Sequence, residues 1–248
     1  MAMDNEMKSR WLGVVRVVFG CAIGIVTLLV TLRGAAPWYL TVFGLCVTSA
    51  IVVGKRRILR AGVTRTSADL VCRYVPWYET SAYFLNVVLP LLGIAMIAAG
   101  FDPGYPAWFR YGGILLLLAT LLMAYATFRM WSRCSLRFTP STLTIRVADP
   151  KIRPGELPRD RVEAITPKWI ANSVSGAKSL QVEIAYRPAD STTAKTETVM
   201  LGLQLTVEPI NLYGALVTWK DGSGADPGEL LDRIEQLLRG HSAAIARS

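Results

Sequence analysis

Four long apolar stretches in the first half of the chain contain no charged residue and no histidine. They cover residues 17–32, 34–54, 80–101 and 111–128. Each is close to the roughly 17–25 apolar residues that a helix needs to cross the hydrocarbon of a bilayer. We therefore predict four membrane-spanning helices at about 11–32, 37–54, 81–100 and 111–131. No comparable stretch follows Ser132, so the sequence predicts a transmembrane four-helix bundle over 1–132 and a separate domain over 133–240, with a tail at 241–248.

The first apolar stretch has two readings, a retained span and a cleaved signal peptide. The segment "RGAAPW" offers small residues of the kind found at a cleavage site. However, the run from Val14 to Leu32 is longer than the usual core of about 7–15 apolar residues, and Arg33 follows at once. We keep it as the first span.

Positive charge is distributed unequally between the loops that alternate along these spans. Short cytoplasmic loops are enriched in lysine and arginine. Eleven cations fall before the first span, after the second and after the fourth: Lys8, Arg10, Lys55, Arg56, Arg57, Arg60, Arg65, Arg73, Arg129, Arg133 and Arg137. The loops after the first and third spans hold only Arg33 and Arg110. The pattern predicts a multi-pass protein of the plasma membrane, with both termini and the loop 55–80 in the cytoplasm.

The segment "GKRRILR" at 54–60 places four of these cations directly after the second span. Lys55, Arg56, Arg57 and Arg60 anchor the topology, and this alone explains the run. They are also candidates for binding anionic lipid headgroups, because cations near a negative leaflet contribute about 1 kcal/mol each. The loop that follows, up to Tyr78, is weakly amphipathic and predicts a short helix lying along the membrane surface before Pro76.

Polar groups within the predicted spans are few. Arg16 is near enough to the end of span 1 for its side chain to reach the headgroups, and the alternative is a buried pair with a partner's carboxylate or a lipid phosphate. Asn86 places an amide inside span 3, and Pro90 frees a backbone carbonyl at the same place. We expect a kink or a helix–helix contact there.

Span 1 carries glycines that favour close helix packing. Gly20 and Gly24 form a G-x-x-x-G pattern, and Gly13 precedes them. Small residues let two helix backbones approach closely in lipid. The face is predicted to contact another helix, either in this bundle or in a partner protein. Tryptophans also fall at the predicted span ends, where indoles favour the headgroup level: Trp11, Trp38, Trp77, Trp108 and Trp131.

The second half of the chain reads as a small α+β domain. Short alternating or β-branched segments predict at least five strands: "SLRFT", "TLTIRV", "DRVEAITPKWI", "LQVEIAY" and "ETVMLGLQLTV". The segment "DPKIRPGELP" is predicted to be a loop. Two helices are predicted at the end, over "NLYGALVTWK" and from Asp226, a good N-cap, to Gly240. The apolar face of the second helix is predicted to pack on the strands.

The sequence offers little catalytic or metal-binding chemistry. The only histidine is His241 in the tail, and the four cysteines show no C-x-x-C spacing, which is typical of small buried side chains in a reducing compartment. We find no phosphate loop, nucleophile elbow or dinucleotide fingerprint. No cofactor is expected, and an enzyme with an unrecognised site is the weakest hypothesis. The net charge of +9 arises mainly in the membrane half, so it does not indicate a nucleic-acid partner.

Over residues 133–240 the order "LRFTPSTLTIRV", "LPRDRVEAI", "LQVEIAY" and a closing helix resembles membrane-anchored bacterial pleckstrin-homology-like (PH-like) domains. This resemblance implies a small barrel capped by one helix, used for oligomerisation or protein contact beneath the inner membrane. The "NLYGALVTWK" helix departs from the simplest version. The arginine-rich, lysine-poor and Ala/Val-rich usage is also similar to that of actinobacterial accessory subunits of lipid importers of the mammalian-cell-entry type.

Together these observations predict a non-catalytic accessory or stabilising subunit of an inner-membrane complex, with the lipid importer implied by the resemblance. The expected partners are other inner-membrane proteins, such as transporter permease subunits, and membrane lipids. The alternative is a self-assembling scaffold or sensor that binds anionic lipid headgroups through Lys55 to Arg60.

Overall fold

The computed structural model of the protein describes residues 2–53, 57–148, 155–171, 178–188, 196–202, 204–224 and 226–240. The chain divides into two compact units. Unit 1 comprises Met1–Arg57 and Thr80–Thr127, and unit 2 comprises Ile58–Glu79 and Phe128–Ser248. Unit 1 is helical, whereas unit 2 contains two antiparallel sheets followed by two helices.

Unit 1 is built from apolar helices. Helix α1 covers Ala2–Leu32, α2 covers Trp38–Val53, α3 covers Thr80–Tyr83, α4 covers Leu89–Ala99 and α5 covers Trp108–Arg133. A π-helical turn, Phe84–Val88, joins α3 to α4 without a break. Within the described part of the chain, three segments are long and apolar enough to cross a membrane: Val14–Leu32, Thr80–Ala99 and Trp108–Arg133. They match the first, third and fourth predicted spans.

The second predicted span forms a shorter helix than the others. Helix α2 is apolar throughout but has 16 residues. At about 1.5 Å per residue it is about 24 Å long, somewhat less than the hydrocarbon thickness of about 30 Å.

The described residues of unit 2 form eight strands in two antiparallel sheets. The first sheet has the order β1 to β5, with β1 at Val63–Arg65, β2 at Leu70–Arg73, β3 at Ser135–Phe138, β4 at Thr142–Arg146 and β5 at Gly155–Pro158. The second has β6 at Val162–Ala171, β7 at Lys178–Tyr186 and β8 at Glu197–Leu201. The five predicted strand segments are therefore strands, and the α+β character of the domain is confirmed.

The prediction of a surface helix between residues 60 and 76 is wrong. The segment instead supplies β1 and β2, and β2 pairs with β3, so that Cys72 lies opposite Leu136. The reason is a period of two: Leu70 and Cys72 are fully buried while Arg73 is exposed. Segment 58–79, predicted as a loop of the membrane domain, belongs to unit 2.

Two other details of unit 2 also differ from the prediction. Strand β5 lies in the segment predicted as a loop, because Leu157 pairs opposite Leu143 and is buried in the core. Strand β8 ends at Leu201, whereas the predicted strand continued to Val207. Leu205 and Val207 are buried without joining a sheet.

Both predicted C-terminal helices are present. Helix α6 covers Pro209–Asp221 and α7 covers Pro227–Leu238. The Asp226 carboxylate accepts hydrogen bonds from the backbone N–H groups of Gly228 and Glu229, which confirms the N-cap. The apolar face of α7 joins one continuous core with both sheets, centred on the fully buried Trp219 of α6. The Trp219 indole N–H donates to the carbonyl of Thr139 at 2.8 Å.

Candidate functional site

The glycine face of α1 packs against α2 of the same chain. A Cβ atom on Gly20 would lie 2.7 Å from Cγ2 of Val52, and one on Gly24 would lie 3.2 Å from Cγ2 of Thr48. Farther along the contact between α1 and α2, the hydroxyls of Thr31 and Thr41 share a hydrogen bond of 2.7 Å. The predicted contact of Gly20 and Gly24 is therefore made inside this bundle. Gly13 lies in α1, but its surroundings are outside the described part of the chain.

Arg16 contacts the carboxyl end of α2. Its Nη2 donates to the carbonyl of Val52 at 3.4 Å, and the side chain is half-buried. The last carbonyls of a helix lack donors within the helix and carry a partial negative charge, so a guanidinium stabilises them. Arg16 thus has a partner within this chain, a backbone carbonyl. The sequence predicted headgroup contact or a pair with another molecule.

Asn86 and Pro90 mark the π-helical turn before α4. Pro90 has no N–H to donate to the carbonyl four residues earlier, and the helix widens so that the Leu89 N–H bonds to the Phe84 carbonyl. The Asn86 side chain donates to the Ala82 carbonyl at 2.8 Å. The contact with α2 at this level is made by Cys46, whose thiol donates to the Val88 carbonyl at 3.4 Å.

The Asn86 side chain lies on the outer surface of unit 1. Tyr83, one turn earlier, is also exposed, and the exposed residues that follow Asn86 along the helix are apolar: Val87, Leu91 and Ile94. We call Asn86, Val87, Leu91 and Ile94 the Asn86 face. If this helix crosses a bilayer, the face presents one amide to the hydrocarbon. The carbonyl Oδ1 and one N–H of that amide remain available after the bond to Ala82, by the donor and acceptor inventory of asparagine.

At the other end of unit 1, Tyr39 joins α2 to the loop between α4 and α5. Its hydroxyl donates to Oδ2 of Asp102 at 2.5 Å, and Oδ1 of Asp102 accepts from the N–H of Gly104 at 3.0 Å. These bonds, led by that from Tyr39, hold the pKa of the Asp102 carboxyl below its usual value. The Tyr105 ring meets Tyr39 edge-on at 5.8 Å. An apolar cavity of about 220 Å³ lies beside this cluster, lined by both tyrosines and by Phe43, Ala95 and Phe109.

The sequence did not reveal the Tyr39–Asp102 pair. The two residues are far apart along the chain, and neither belongs to a motif. The available signal was Asp102 itself, the one carboxylate in the loop between the third and fourth predicted spans.

Two of the four candidate headgroup ligands can be located. Lys55 and Arg56 lie outside the described residues. Arg57 is exposed at the end of unit 1, and the Arg60 guanidinium in unit 2 lies over the ring of Tyr78 at 5.4 Å. Arg60 also lines an open cavity of about 470 Å³ together with Leu59, Ile210 and Arg239. The structure thus separates the described cations of the run between the two units.

The cysteines of unit 2 are buried and unpaired. Cys72 has no exposed surface, and Cys134 is almost as deeply buried. Burial raises the pKa of both thiols, which keeps them neutral. Cys46 is also buried and free, whereas Cys21 is exposed on α1. Cys46, Cys72 and Cys134 fit the prediction of small buried side chains, whereas the exposed Cys21 does not.

The sequence predicted strands β6 and β7, but not that the outer part of their hairpin is exposed. In the outer part of β6, from Thr166 to Ala171, every residue is exposed, and Trp169 is 67% exposed. Strand β8 pairs with β7 only over Val182–Tyr186, so the outer part of the hairpin is a two-stranded ribbon. The segment "ITPKWI" reads as an ordinary strand, and a large exposed aromatic side chain in it was visible only from the fold.

Within the described ranges no group of three or more His, Cys, Asp or Glu side chains is arranged to hold a metal ion. Comparison of the chain with models of known protein families, with curated proteins and with solved structures finds no significant match.

Proposed function

We propose that this chain is a four-crossing protein of the bacterial inner membrane, with both ends in the cytoplasm, and that it is a non-catalytic accessory subunit of a larger membrane complex. The observation that carries the proposal is the Asn86 face. One N–H of the Asn86 amide is bonded to Ala82, but leaving the Oδ1 and the second N–H without hydrogen bonds in hydrocarbon costs free energy. A helix of another protein that accepts and donates hydrogen bonds there relieves this cost.

The pairing of α1 with α2 supports a fourth crossing. The two helices stay in contact from Thr31 and Thr41 at one end to Gly20 and Val52 at the other. Residues 20–31 of α1 and 41–52 of α2 therefore run alongside each other over the same number of residues. Arg16 donates a hydrogen bond to the Val52 carbonyl in the last turn of α2, which stabilises the end of this short helix. The excess of cations in 55–73 and after α5 supports the cytoplasmic orientation.

The topology of unit 2 supports a PH-like domain. One sheet of consecutive antiparallel strands is followed by a second and then by helices that close the core. Strands β1 and β2, contributed from between two of the apolar helices, are an addition to the pattern that the sequence resembles. A lipid importer is the complex to test first, since that is what the resemblance implies.

The test is affinity purification of the chromosomally tagged protein in mild detergent, comparing Asn86→Leu with Asn86→Gln. Leucine has nearly the size of asparagine but no polar atoms, whereas glutamine keeps the amide. We expect the wild type and the glutamine variant to retain a second membrane protein at a fixed ratio, and the leucine variant to lose it. Recovery of the protein alone, or equal recovery of the partner with leucine, would contradict the proposal.

A second candidate function is the scaffold or sensor that binds anionic lipid. The cavity lined by Arg60 favours it, because a guanidinium group next to Leu59 and Ile210 suits a phosphate joined to a hydrocarbon chain. In the same cavity, Arg239 is paired with Glu235, and Glu208 also lines the wall. Its test is binding of anionic liposomes by the purified protein and by a Lys55/Arg56/Arg57/Arg60→Gln variant. An unchanged preference for anionic lipid in the variant counts against it.

A further inference from the structure

One face of the β6–β7 hairpin is apolar both where it packs in the core and where it extends beyond the core. In the pairing register, Ile165 lies opposite Ile184, Pro167 opposite Val182, Trp169 opposite Leu180 and Ala171 opposite Lys178. Directly opposed residues point to the same side of a sheet, and every second residue shares that side. These eight residues therefore form one continuous face.

The inner end of this face is core and its outer end is not. Val182 and Ile184 have no exposed surface, whereas Trp169 and Ala171 are exposed. The opposite side of the ribbon is more polar, with a salt bridge of 2.6 Å between Lys168 and Glu183. The ribbon is therefore amphipathic, and its apolar side ends in an indole and a lysine. We call Pro167, Trp169, Ala171 and Leu180 the ribbon face.

The charge next to the ribbon face is that of Lys178, which lies opposite Ala171. Lys168, on the other side of the ribbon, is paired with Glu183, and none of the four residues of the ribbon face is acidic. Lysine is depleted at the cores of protein–protein interfaces. Tryptophan next to lysine is instead typical of segments that lie in the headgroup region of a bilayer with anionic lipids. Helix α5 ends at Arg133 and β3 begins at Ser135, so the chain tethers unit 2 to a bilayer that α5 crosses. Tethering raises the effective concentration of the ribbon face at the membrane, so even weak insertion of this face is populated.

We propose that the ribbon face inserts into the headgroup region of an anionic bilayer, with Trp169 in the interface and Lys178 contacting lipid phosphate. This is a second membrane contact of the protein, made by the strand-rich unit. It does not depend on the Asn86 face or on the cations at 55–60. A protein partner or a second copy of the chain covering the ribbon face is the competing outcome of the test.

The experiment uses the full-length protein in nanodiscs of phosphatidylcholine with and without phosphatidylglycerol. Cys21→Ser removes the one cysteine that is exposed, and Cys46, Cys72 and Cys134 are buried. A fluorophore is placed at Ala171→Cys on the ribbon face or at Ser179→Cys on the opposite side of the same ribbon. Nitroxide-labelled lipid in the nanodisc then reports which label touches the membrane.

We expect nitroxide quenching at position 171 to exceed that at position 179 by about twofold or more in anionic nanodiscs, and to fall when phosphatidylglycerol is omitted. Trp169→Ser should abolish the difference, and Lys178→Gln should weaken its dependence on anionic lipid. Because Trp169 is mostly exposed, its replacement leaves the core intact, and an unchanged melting temperature verifies this.

Three results would overturn the proposal. The first is equal quenching at both positions, and the second is quenching at position 171 that persists in Trp169→Ser. The third is shielding of position 171 by a protein, seen as a crosslink to a partner or a second copy without quenching by lipid.

Discussion

Tyr39 donates a 2.5 Å hydrogen bond to Asp102 and so connects the start of α2 to the turn between α4 and α5. The bond adds to an apolar cluster in which Tyr39 of α2 packs with Ala95 and Ala99 of α4. A hydrogen bond to a charged acceptor is stronger than one between neutral groups, and exposure to water lowers its contribution to stability.

Replacing Tyr39 by phenylalanine removes this bond while keeping the ring. We expect a lower melting temperature in detergent, with secondary structure preserved below the transition. Tyr125→Phe is the matched control, because the Tyr125 side chain is 64% exposed on α5. Equal melting temperatures for the two variants would show that the bond does not stabilise unit 1.

The same pair makes the stability of unit 1 depend on pH. The pKa of Asp102 is lower in the folded protein than in the unfolded chain, so its stabilising effect is complete above the unfolded value, near 3.8, and is lost as the pH falls through the folded value. We expect Tyr39→Phe and wild type to differ in melting temperature near neutral pH and to converge in acid below about pH 4. A difference that stayed constant down to pH 3 would contradict this.

Gly20→Leu should destabilise the bundle itself. Even a Cβ atom at this position would meet Val52 at 2.7 Å, and overpacking of a tight contact costs about 1–3 kcal/mol. We expect a smaller monodisperse fraction on size-exclusion chromatography and a lower melting temperature. Val18→Leu, on an exposed side of α1, should behave like wild type. If the Gly20→Leu variant folds normally but loses a partner protein, the glycine face contacts that protein and not only α2.

Two ion pairs of unit 2 should differ in their contribution to stability. Asp69 is buried and pairs with Arg137 of β3, while Arg65 of β1 pairs at 3.0 Å with Asp232, which is largely exposed. Arg137→Gln leaves a buried carboxylate without its cation, and we expect a loss of about 1–3 kcal/mol. Asp232→Asn should cost about 1 kcal/mol or less. Denaturant unfolding measures both, and similar losses would show that the burial of Asp69 is energetically unimportant.

The local pattern of the sequence was enough to place most elements. Charge-free stretches predicted the apolar helices, and alternation predicted β3, β4, β6, β7 and β8. Asp226 predicted the start of α7, and its two cap hydrogen bonds confirm it. These features depend on residues that are neighbours in the sequence, which is why they could be inferred without a structure.

Features that depend on distant contacts were not predicted. Strand β2 lies between two apolar helices, and its Cys72 pairs with Leu136 of β3, which is 64 positions later in the chain. No local pattern in the sequence therefore indicates this pairing. The G-x-x-x-G pattern showed a face suited to close packing but not that α2 occupies it. Among the described residues, β8 pairs with β7 only over Val182–Tyr186 and leaves Trp169 exposed, and the sequence of a strand does not contain that information.

The most direct test of the accessory role is photo-crosslinking within the membrane. A photoreactive residue at Leu91 lies on the Asn86 face, and one at Leu121 lies on an exposed side of α5 as the control. If the protein is an accessory subunit, we expect position 91 to give a defined protein adduct in native membranes, in lower yield in the Asn86→Leu variant. Position 121 should give no adduct of comparable yield. Adducts with lipid alone at both positions would contradict it.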